Sequence, residues 1–345
     1  MEKKYYSEEV EKDTRYRAEY LETVESFLNA AKLEAEAARE AGICLETYAA
    51  EQETYRKEYV EMLGFPLGLK REMPKLLEKT FVARDKNVEI YRMQLLHFGG
   101  IKQYGLYFKQ VENAKNAPFL LGFHGGGGTP ELVASLHIDS ANYNHLIRRV
   151  TDKGANVFVP QLLLWNKDMY GGEYDRAHLD GKLRQLGGSM TALELYLLCG
   201  AIDYFSKNEE MAAGKIGCFG LSYGGMYALH LAALDTRVKS CYSCSWVSDV
   251  FVYSWADWSY KNAQKKFGVA EVMGLVAPRS LSVAMGDKDE LFKAELTEKE
   301  CKKAERYYRA FQAEHRFQWV IFNGVHEADK DDCEIDFLLN FPQTL

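Results

Sequence analysis

Hydrophobic positions follow two different periods along this chain, and the change from one to the other divides it. Over about residues 7–41 the chain is charged, rich in Ala and Glu and free of Gly and Pro, with apolar side chains at helical spacing. This pattern predicts one long amphipathic helix that ends at Gly42. A second helical run, over about residues 45–63, ends at Gly64-Phe65-Pro66. We therefore predict an N-terminal helical extension over residues 1–66.

The apolar stripe of the first helix has two interpretations. A stripe at this spacing most often packs on a neighbouring domain as a cap. The alternatives are a lid over the site or a dimer element, and a dimer element would make the chain a homo-oligomer through its N-terminal helices. The stripe comprises Tyr16, Tyr20, Val24, Phe27, Leu28 and Ala31.

From about residue 88 onward the pattern is that of strands. Residues 88–93 and 103–108 alternate between apolar and polar, separated by Gly99-Gly100, as in an antiparallel hairpin. Continuous apolar runs follow, typical of strands buried on both faces: Pro118–Phe123, Ala155–Val159, Lys215–Phe219, Val238–Cys244, Ser280–Met285 and Phe317–Phe322. Helical segments, including Leu193–Phe205, Gly225–Leu234 and Glu298–Glu314, fall between most of them. Residues 67–345 are thus predicted to form an α/β domain, a mainly parallel twisted sheet with helices on both faces.

Composition excludes several classes of function. The 345 residues carry a formal net charge of −7, whereas a nucleic-acid-binding protein of this size normally has a basic face. The longest apolar run, near residues 117–123, is far shorter than the roughly 18 residues that span a bilayer. We therefore expect no nucleic-acid partner and no membrane insertion.

The cysteines and the first residues indicate a cytoplasmic protein. Seven scattered cysteines are an odd number and do not resemble a disulfide framework. No apolar segment follows Lys3-Lys4, so no secretory signal is visible. The pair Cys241 and Cys244 lies in an apolar stretch without a second pair, which favours core packing over a zinc site. We expect no metal and no cofactor.

The strongest chemical signal is Gly220-Leu221-Ser222-Tyr223-Gly224, which follows a predicted strand and precedes a predicted helix. In that context G-x-S-x-G places a serine on a sharp turn with its hydroxyl exposed. The N terminus of the next helix then faces the charge that develops on an oxyanion. Ser222 is therefore the predicted nucleophile.

The general base is expected after the last strands, because the order in such chains is Ser, acid, His. His315 and His326 satisfy this order, and His326 follows the final strand on a loop at the carboxyl edge of the sheet. His315 lies in a helical run, where a solvated histidine is the ordinary interpretation. His326 is the predicted base.

The acid is expected in the segment Gly286-Asp287-Lys288-Asp289-Glu290, which follows a buried strand. We predict Asp289 as the residue that orients the base. Asp287 and Glu290 are its local rivals, and Asp249 is the alternative one strand earlier.

A glycine-rich loop, His124-Gly125-Gly126-Gly127-Gly128, directly follows the strand that ends at Phe123. We predict that two backbone N–H groups bind the oxyanion, that of Tyr223 and one from the Gly125–Gly128 loop, for which we take Gly126. Gly125 and Gly127 are expected to line the bound substrate, and His124 to support the loop. A phosphate-binding loop does not fit, since no G-K-[ST] follows.

Two segments are predicted to shape the pocket. One is residues 164–175, which follow a strand at the same edge as the nucleophile and include Trp165. The other is residues 245–258, which are rich in aromatic side chains. These side chains form either a lid over the pocket or part of the core, and Trp246 is the predicted pocket residue.

These motifs resemble those of the α/β-hydrolase superfamily over roughly residues 85–345. Within it the chain is most similar to bacterial acetyl xylan esterase-like and dienelactone-hydrolase-related proteins. The finer resemblance rests on Ala277-Pro278-Arg279-Ser280, on Met62-Leu63-Gly64 and on the long segment from Gln161 to Thr191. It implies a doubly wound sheet of about eight strands and hydrolysis through an acyl-enzyme. Dienelactone hydrolases proper use a cysteine where Ser222 stands here, so their substrate is not carried over.

The expected function is a serine carboxylesterase or acetylesterase that acts on a small-molecule ester with a short acyl group, such as an acylated saccharide. Two alternatives stay open. A serine peptidase of the prolyl-oligopeptidase-like type would use the same triad and sheet. A non-catalytic binding protein would have the same fold without the enzymatic activity.

Overall fold

The computed structural model describes residues 9–139, 141–165, 171, 173–208, 212, 214–253, 255 and 258–341. Within these residues one mixed sheet has nine strands, in the order β1-β2-β3-β5-β4-β6-β7-β8-β9. The strands are β1 (Lys75–Asp85), β2 (Val88–Leu96), β3 (Lys102–Gln110), β4 (Phe119–Phe123), β5 (Asn156–Pro160), β6 (Ile216–Leu221), β7 (Val238–Cys244), β8 (Ser280–Gly286) and β9 (Phe317–Phe322). The first three strands form an antiparallel meander, β3 pairs antiparallel with β5, and β4 to β9 are parallel to one another. The predicted α/β fold with a mainly parallel sheet is confirmed.

Eleven α-helices are present in the described part of the chain. They are α1 (Val10–Gly42), α2 (Tyr48–Leu63), α3 (Pro130–Val133), α4 (Leu146–Asp152), α5 (Arg176–Gln185), α6 (Met190–Asn208), α7 (Tyr223–Leu234), α8 (Ala263–Lys266), α9 (Val269–Val276), α10 (Ala294–Ala310) and α11 (Cys333–Leu339). Among these described helices, none combines the length and apolarity that crossing a membrane requires.

Helices cover both faces of the sheet because the strand side chains alternate between two cores. In β4, Phe119 and Leu121 join a cluster with α2, α6, α7, α9 and α10, whereas Leu120 joins a second cluster with α3, α4 and α11. The residues of β4 to β8 are nearly all buried. This is why they are continuous apolar runs in the sequence.

Strand β1 was not predicted, and it makes the sheet one strand larger than the expected eight. It pairs antiparallel with β2 from Lys75 opposite Leu96 to Asp85 opposite Val88. Most of its residues are exposed or half-buried. Charged side chains are common on such edge strands, since they discourage pairing with another chain. Without a buried face the segment lacks the alternation that identifies a strand.

Helix α2 is an integral part of the core rather than an appendage. Tyr59 and Leu63 are fully buried in the larger cluster. The buried Arg56 guanidinium donates to the carbonyl oxygens of Ala233 at the end of α7 and Leu275 in α9. The predicted division of the chain at residue 66 stays a prediction.

The two halves of α1 have different surroundings. Its C-terminal half is held to the α/β domain by ion pairs, of which three involve its most buried charged side chains. Lys32 pairs with Asp249 at 2.7 Å, Arg39 with Glu271 at 2.8 Å, and Glu36 with Lys303. Its N-terminal half, from residue 9 to residue 30, is exposed except at two positions of intermediate burial. The cap interpretation therefore applies to the C-terminal half alone.

Candidate active site

Ser222 lies at the carboxyl end of β6, immediately before α7, in a backbone conformation that L-residues rarely adopt. Its φ and ψ are 61° and −125°. The turn is held by hydrogen bonds from the Ser222 N–H to the Cys244 carbonyl at 2.8 Å and from the Met226 N–H to the Ser222 carbonyl at 3.0 Å. A strained strand-to-helix turn of this kind exposes a nucleophile at the sheet edge, and Ser222 is accordingly only half-buried.

The glycines beside Ser222 allow a close approach of backbone segments. A Cβ atom at Gly224 would lie 2.3 Å from the Phe123 carbonyl oxygen, and one at Gly220 would lie 2.4 Å from the Gly224 carbonyl carbon. Both contacts are with backbone atoms that side-chain rotation cannot move. The motif G-x-S-x-G is therefore required here by packing between β6, α7 and β4.

His326 and Asp289 come together from the loops that follow β9 and β8. The His326 Nδ1 lies 2.8 Å from the Asp289 Oδ2. The Asp289 side chain is fully buried, and its other oxygen accepts the N–H groups of Leu291 and Phe292, both at 2.9 Å. Burial alone would raise the pKa of Asp289, but the His326 contact and these N–H groups outweigh it and hold the pKa below its usual value.

The other candidate acids make different contacts. Asp287 accepts the Gly324 N–H at 3.0 Å, and Glu290 accepts the His326 backbone N–H at 3.2 Å. Asp249 is occupied by Lys32 of α1. Of these four described carboxylates, Asp289 is therefore the one that contacts the imidazole ring.

The other candidate base, His315, lies at the wrong edge of the sheet. It is exposed in the turn before β9, at the amino end of that strand. The predicted base His326 lies beyond the carboxyl end of the same strand.

The loop that carries His326 packs against the end of β7, and the same strand end accepts a hydrogen bond from Ser222. The Glu327 carbonyl lies 3.4 Å from both the Cys244 Sγ and the Ser245 Oγ. The Cys244 carbonyl in turn accepts the Ser222 N–H. Ser222 and His326 thus lie on either side of the end of β7, at the edge where parallel strands carry ligand sites.

The glycine-rich loop lies beside Ser222. A Cβ atom at Gly125 would lie 3.3 Å from the Ser222 Cβ. The Gly125 N–H donates to the Tyr143 hydroxyl at 2.6 Å, and the Gly128 N–H donates to the Gly125 carbonyl at 3.1 Å. Among the described residues the N–H groups of Gly126 and Gly127 have no such partner. These two groups are available to bind an oxyanion, as is expected of Gly126.

Two buried side chains shape this loop. His124 Nδ1 lies 2.9 Å from the Gly125 carbonyl, and its Nε2 accepts the Leu162 N–H at 3.0 Å. His124 is therefore a support of the loop, as expected. Tyr143 holds the Gly125 N–H, and burial raises the pKa of Tyr143 to about 12. No sequence motif points to Tyr143, because it lies eighteen residues after the glycine whose N–H it binds.

Trp165 forms one wall beside the loop. Its backbone φ is positive, its side chain is 45% exposed, and a Cβ atom at Gly126 would lie 2.4 Å from its ring. Residues 166–170 and 172 of the predicted pocket segment lie outside the described residues.

The structure places Trp246 in the core and not in the pocket, where it was predicted. It is 2% exposed and packs against His230 and Trp258 in the core. The exposed tryptophan of that segment is Trp255, which is 41% exposed and lies near the Tyr223 ring, with centroids 5.9 Å apart. Phe292 completes the wall, since its ring lies 5.8 Å from the His326 ring.

A buried ion pair that the sequence analysis missed positions the Trp165 segment. Arg176 and Glu194 lie 2.9 Å apart and are almost completely buried. Arg176 donates to the Leu163 carbonyl at 2.7 Å, and Glu194 accepts the Leu163 N–H at 2.8 Å. Both backbone groups of Leu163, two residues before Trp165, are thereby fixed. No local motif identifies such a pair, because its members come from α5 and α6.

The residues described here include no group of three His, Cys, Asp or Glu side chains arranged to hold a metal ion.

Comparison with known proteins agrees with this fold. No protein-family model matches the chain. The chain is 25% identical over 258 residues to the "Putative hydrolase YtaP" of Bacillus subtilis (strain 168), covering 71% of this chain and 83% of that protein.

Two similar solved structures are esterases. The glucuronoyl esterase from Solibacter usitatus has a TM-score of 0.66 at 16% identity, covering 85% of this chain and 92% of that one. The structure of "a putative acetyl xylan esterase" from Bacteroides fragilis NCTC 9343 has a TM-score of 0.64 at 14% identity, covering 87% of this chain and 85% of that one. The predicted α/β-hydrolase fold is confirmed, since this chain has the fold of these two esterases.

Proposed function

We propose that this protein is a serine carboxylic-ester hydrolase that acts through an acyl-enzyme on short acyl esters, with acetylated sugars as the substrate class. The observation that carries the proposal is the buried Asp289–His326 pair at the same sheet edge as the strained turn of Ser222. A nucleophile, a base and an orienting carboxylate are the three groups that such a reaction needs.

In the proposed reaction His326 takes the proton of the Ser222 hydroxyl while its oxygen attacks the ester carbonyl. Asp289 holds the imidazole ring in place and stabilises the charge that it gains. The oxygen of the tetrahedral intermediate accepts the backbone N–H groups of Tyr223, at the start of α7, and Gly126. His326 then gives its proton to the departing alcohol. A water molecule deprotonated by His326 releases the acid from the serine ester.

Two exposed aromatic residues near the nucleophile turn support a sugar ester as the substrate. Trp165 and Trp255 are each exposed by more than two fifths and lie near Gly126 and the Tyr223 ring, respectively. Exposed aromatic rings offer flat apolar surfaces for stacking. Two of the structurally similar proteins are named as a glucuronoyl esterase and as "a putative acetyl xylan esterase".

The substrate class is tested with p-nitrophenyl acetate, butyrate and octanoate beside an amino-acyl anilide and an acetylated xylo-oligosaccharide. We expect kcat/KM to fall as the acyl chain lengthens, and acetate to be released from the sugar. Preferential cleavage of the anilide would instead assign the protein to the serine peptidases. Turnover of none of these substrates would contradict the proposal.

A substitution at Gly126 separates the role of Trp165 from that of the backbone donor. An alanine methyl group would clash with the Trp165 ring and displace it, while leaving the N–H in place. We expect Gly126→Ala and Trp165→Ala each to raise KM by roughly fivefold, corresponding to the loss of about 1 kcal/mol of aromatic contact. The double variant should be no worse than Trp165→Ala, since both changes remove the same contact. A hundredfold fall in kcat for Gly126→Ala would show instead that the loop itself had moved.

A further inference from the structure

The N-terminal half of α1 carries an apolar surface that nothing in the described structure covers. We define the projecting stripe as Tyr16, Tyr20, Leu21, Val24, Phe27 and Leu28. Five of these side chains are between 46% and 73% exposed, and Val24 is half-buried. A contiguous apolar surface of this kind is typical of an interaction site. A protruding helix also gains little stability by itself, because most helical stability in proteins comes from packing an apolar face.

The projecting stripe is continuous with the face by which α1 already packs on the α/β domain. Leu28 belongs to both, and Ala31 and Ala35 follow it on the same side of the helix at about 3.6 residues per turn. These three residues line a groove of about 340 Å³ against the segment that contains Val250 and Trp258. A helix laid along the stripe would therefore also reach this groove.

We propose that the projecting stripe is a dimer interface, on which the α1 helix of a second copy of this chain packs antiparallel, centred near Leu21. Two copies would bury on the order of 1,000 Å², since aromatic side chains bury about 150–250 Å² each and the stripe has three. This area is at the lower end of specific protein interfaces. The proposal concerns assembly and does not depend on the reaction at Ser222.

The charges on α1 select the antiparallel orientation. Arg17 lies on the same side of the helix as Leu21 and Val24, four residues before Leu21. Glu25 lies four residues after Leu21 and is exposed. An antiparallel pair centred on Leu21 places each Arg17 opposite the other copy's Glu25. A parallel pair would place the two Arg17 side chains against each other, which is unfavourable.

The same charges argue against a lipid surface as the occupant. Helices that lie on membranes usually have Lys and Arg along the polar face. Here the middle of the projecting half has Glu19, Glu22 and Glu25, and the whole chain has a net charge of −7. Anionic lipid would therefore be repelled by this part of α1.

The test is the mass of the full chain in solution, measured by sedimentation or light scattering across a range of concentrations. We expect about twice the 39.4 kDa of one chain, and a single-chain mass for Leu21→Arg. Leu33→Arg is the matched control, because Leu33 is 64% exposed on the same helix but lies on the side opposite Val24. This control should remain a dimer. Far-UV circular dichroism of both variants checks that α1 stays helical.

The orientation is tested by exchanging the two charges. Arg17→Glu and Glu25→Arg should each weaken dimerisation by roughly tenfold, since each dimer loses two favourable contacts and gains two like-charge contacts. The double variant should recover the affinity of the original chain. A monomer at all concentrations, a dimer that Leu21→Arg leaves intact, or binding of a monomer to phosphatidylglycerol vesicles would each overturn the proposal.

Discussion

Replacing Ser222 by alanine is expected to lower kcat for p-nitrophenyl acetate by roughly 10⁴- to 10⁶-fold, as removal of the nucleophile does in serine hydrolases. The substitution removes only the hydroxyl group, so the proposed oxyanion donors and the pocket walls should stay in place. KM should therefore change much less than kcat. Steady-state kinetics on purified protein measures both quantities.

Ser259→Ala provides the control for this variant. Ser259 lies on the segment that borders the aromatic wall, and its hydroxyl donates to the Trp255 carbonyl at 2.8 Å. It should keep nearly full activity. Because Ser222 has a positive φ, a thermal unfolding curve is needed to show that Ser222→Ala remains folded. Activity surviving in a folded Ser222→Ala protein would mean that another residue is the nucleophile.

Changes at the proposed base, His326, and its proposed carboxylate, Asp289, are expected to have the second-largest effects. His326→Gln should lower kcat about as much as Ser222→Ala, since a nucleophile and its base act as a unit in serine hydrolases. Asp289→Asn should lower kcat by roughly 10⁴-fold, because an amide favours the wrong imidazole tautomer. The 2.8 Å contact between these side chains is the geometric basis of both expectations.

The rival residues supply matched controls for these two variants. His315→Gln and Asp249→Asn make the same chemical changes at an exposed turn and at the ion pair with Lys32. We expect both to keep kcat within a few fold of the original protein. A large loss of kcat in Asp249→Asn with a small loss in Asp289→Asn would show that Asp249, which follows β7, is the acid.

The buried strands and the Ser222 motif could be predicted from the sequence for the same physical reason. A strand covered on both faces must be apolar throughout, and a nucleophile turn must have small residues on both sides. Both requirements act on consecutive residues and are therefore visible in the sequence. The edge strand β1 has no buried face, so its residues follow no such rule.

The parts of the site that were missed depend on contacts between distant segments. Tyr143 holds the Gly125 N–H across eighteen residues, and Arg176 and Glu194 meet from different helices. The misplacement of Trp246 has a related cause. An aromatic run indicates that rings are present, but neighbouring strands and helices decide which ring faces the solvent, and here Trp255 does so.

The measurement that tests the central claim most directly is to trap the acyl-enzyme. The protein is mixed with p-nitrophenyl acetate, quenched in acid during the burst of p-nitrophenol, digested, and analysed by mass spectrometry. We predict one acetyl group on the peptide that contains Ser222, absent from the Ser222→Ala protein. Rapid ester hydrolysis with no acetylated Ser222, or with the acetyl group on another residue, would contradict the proposed mechanism.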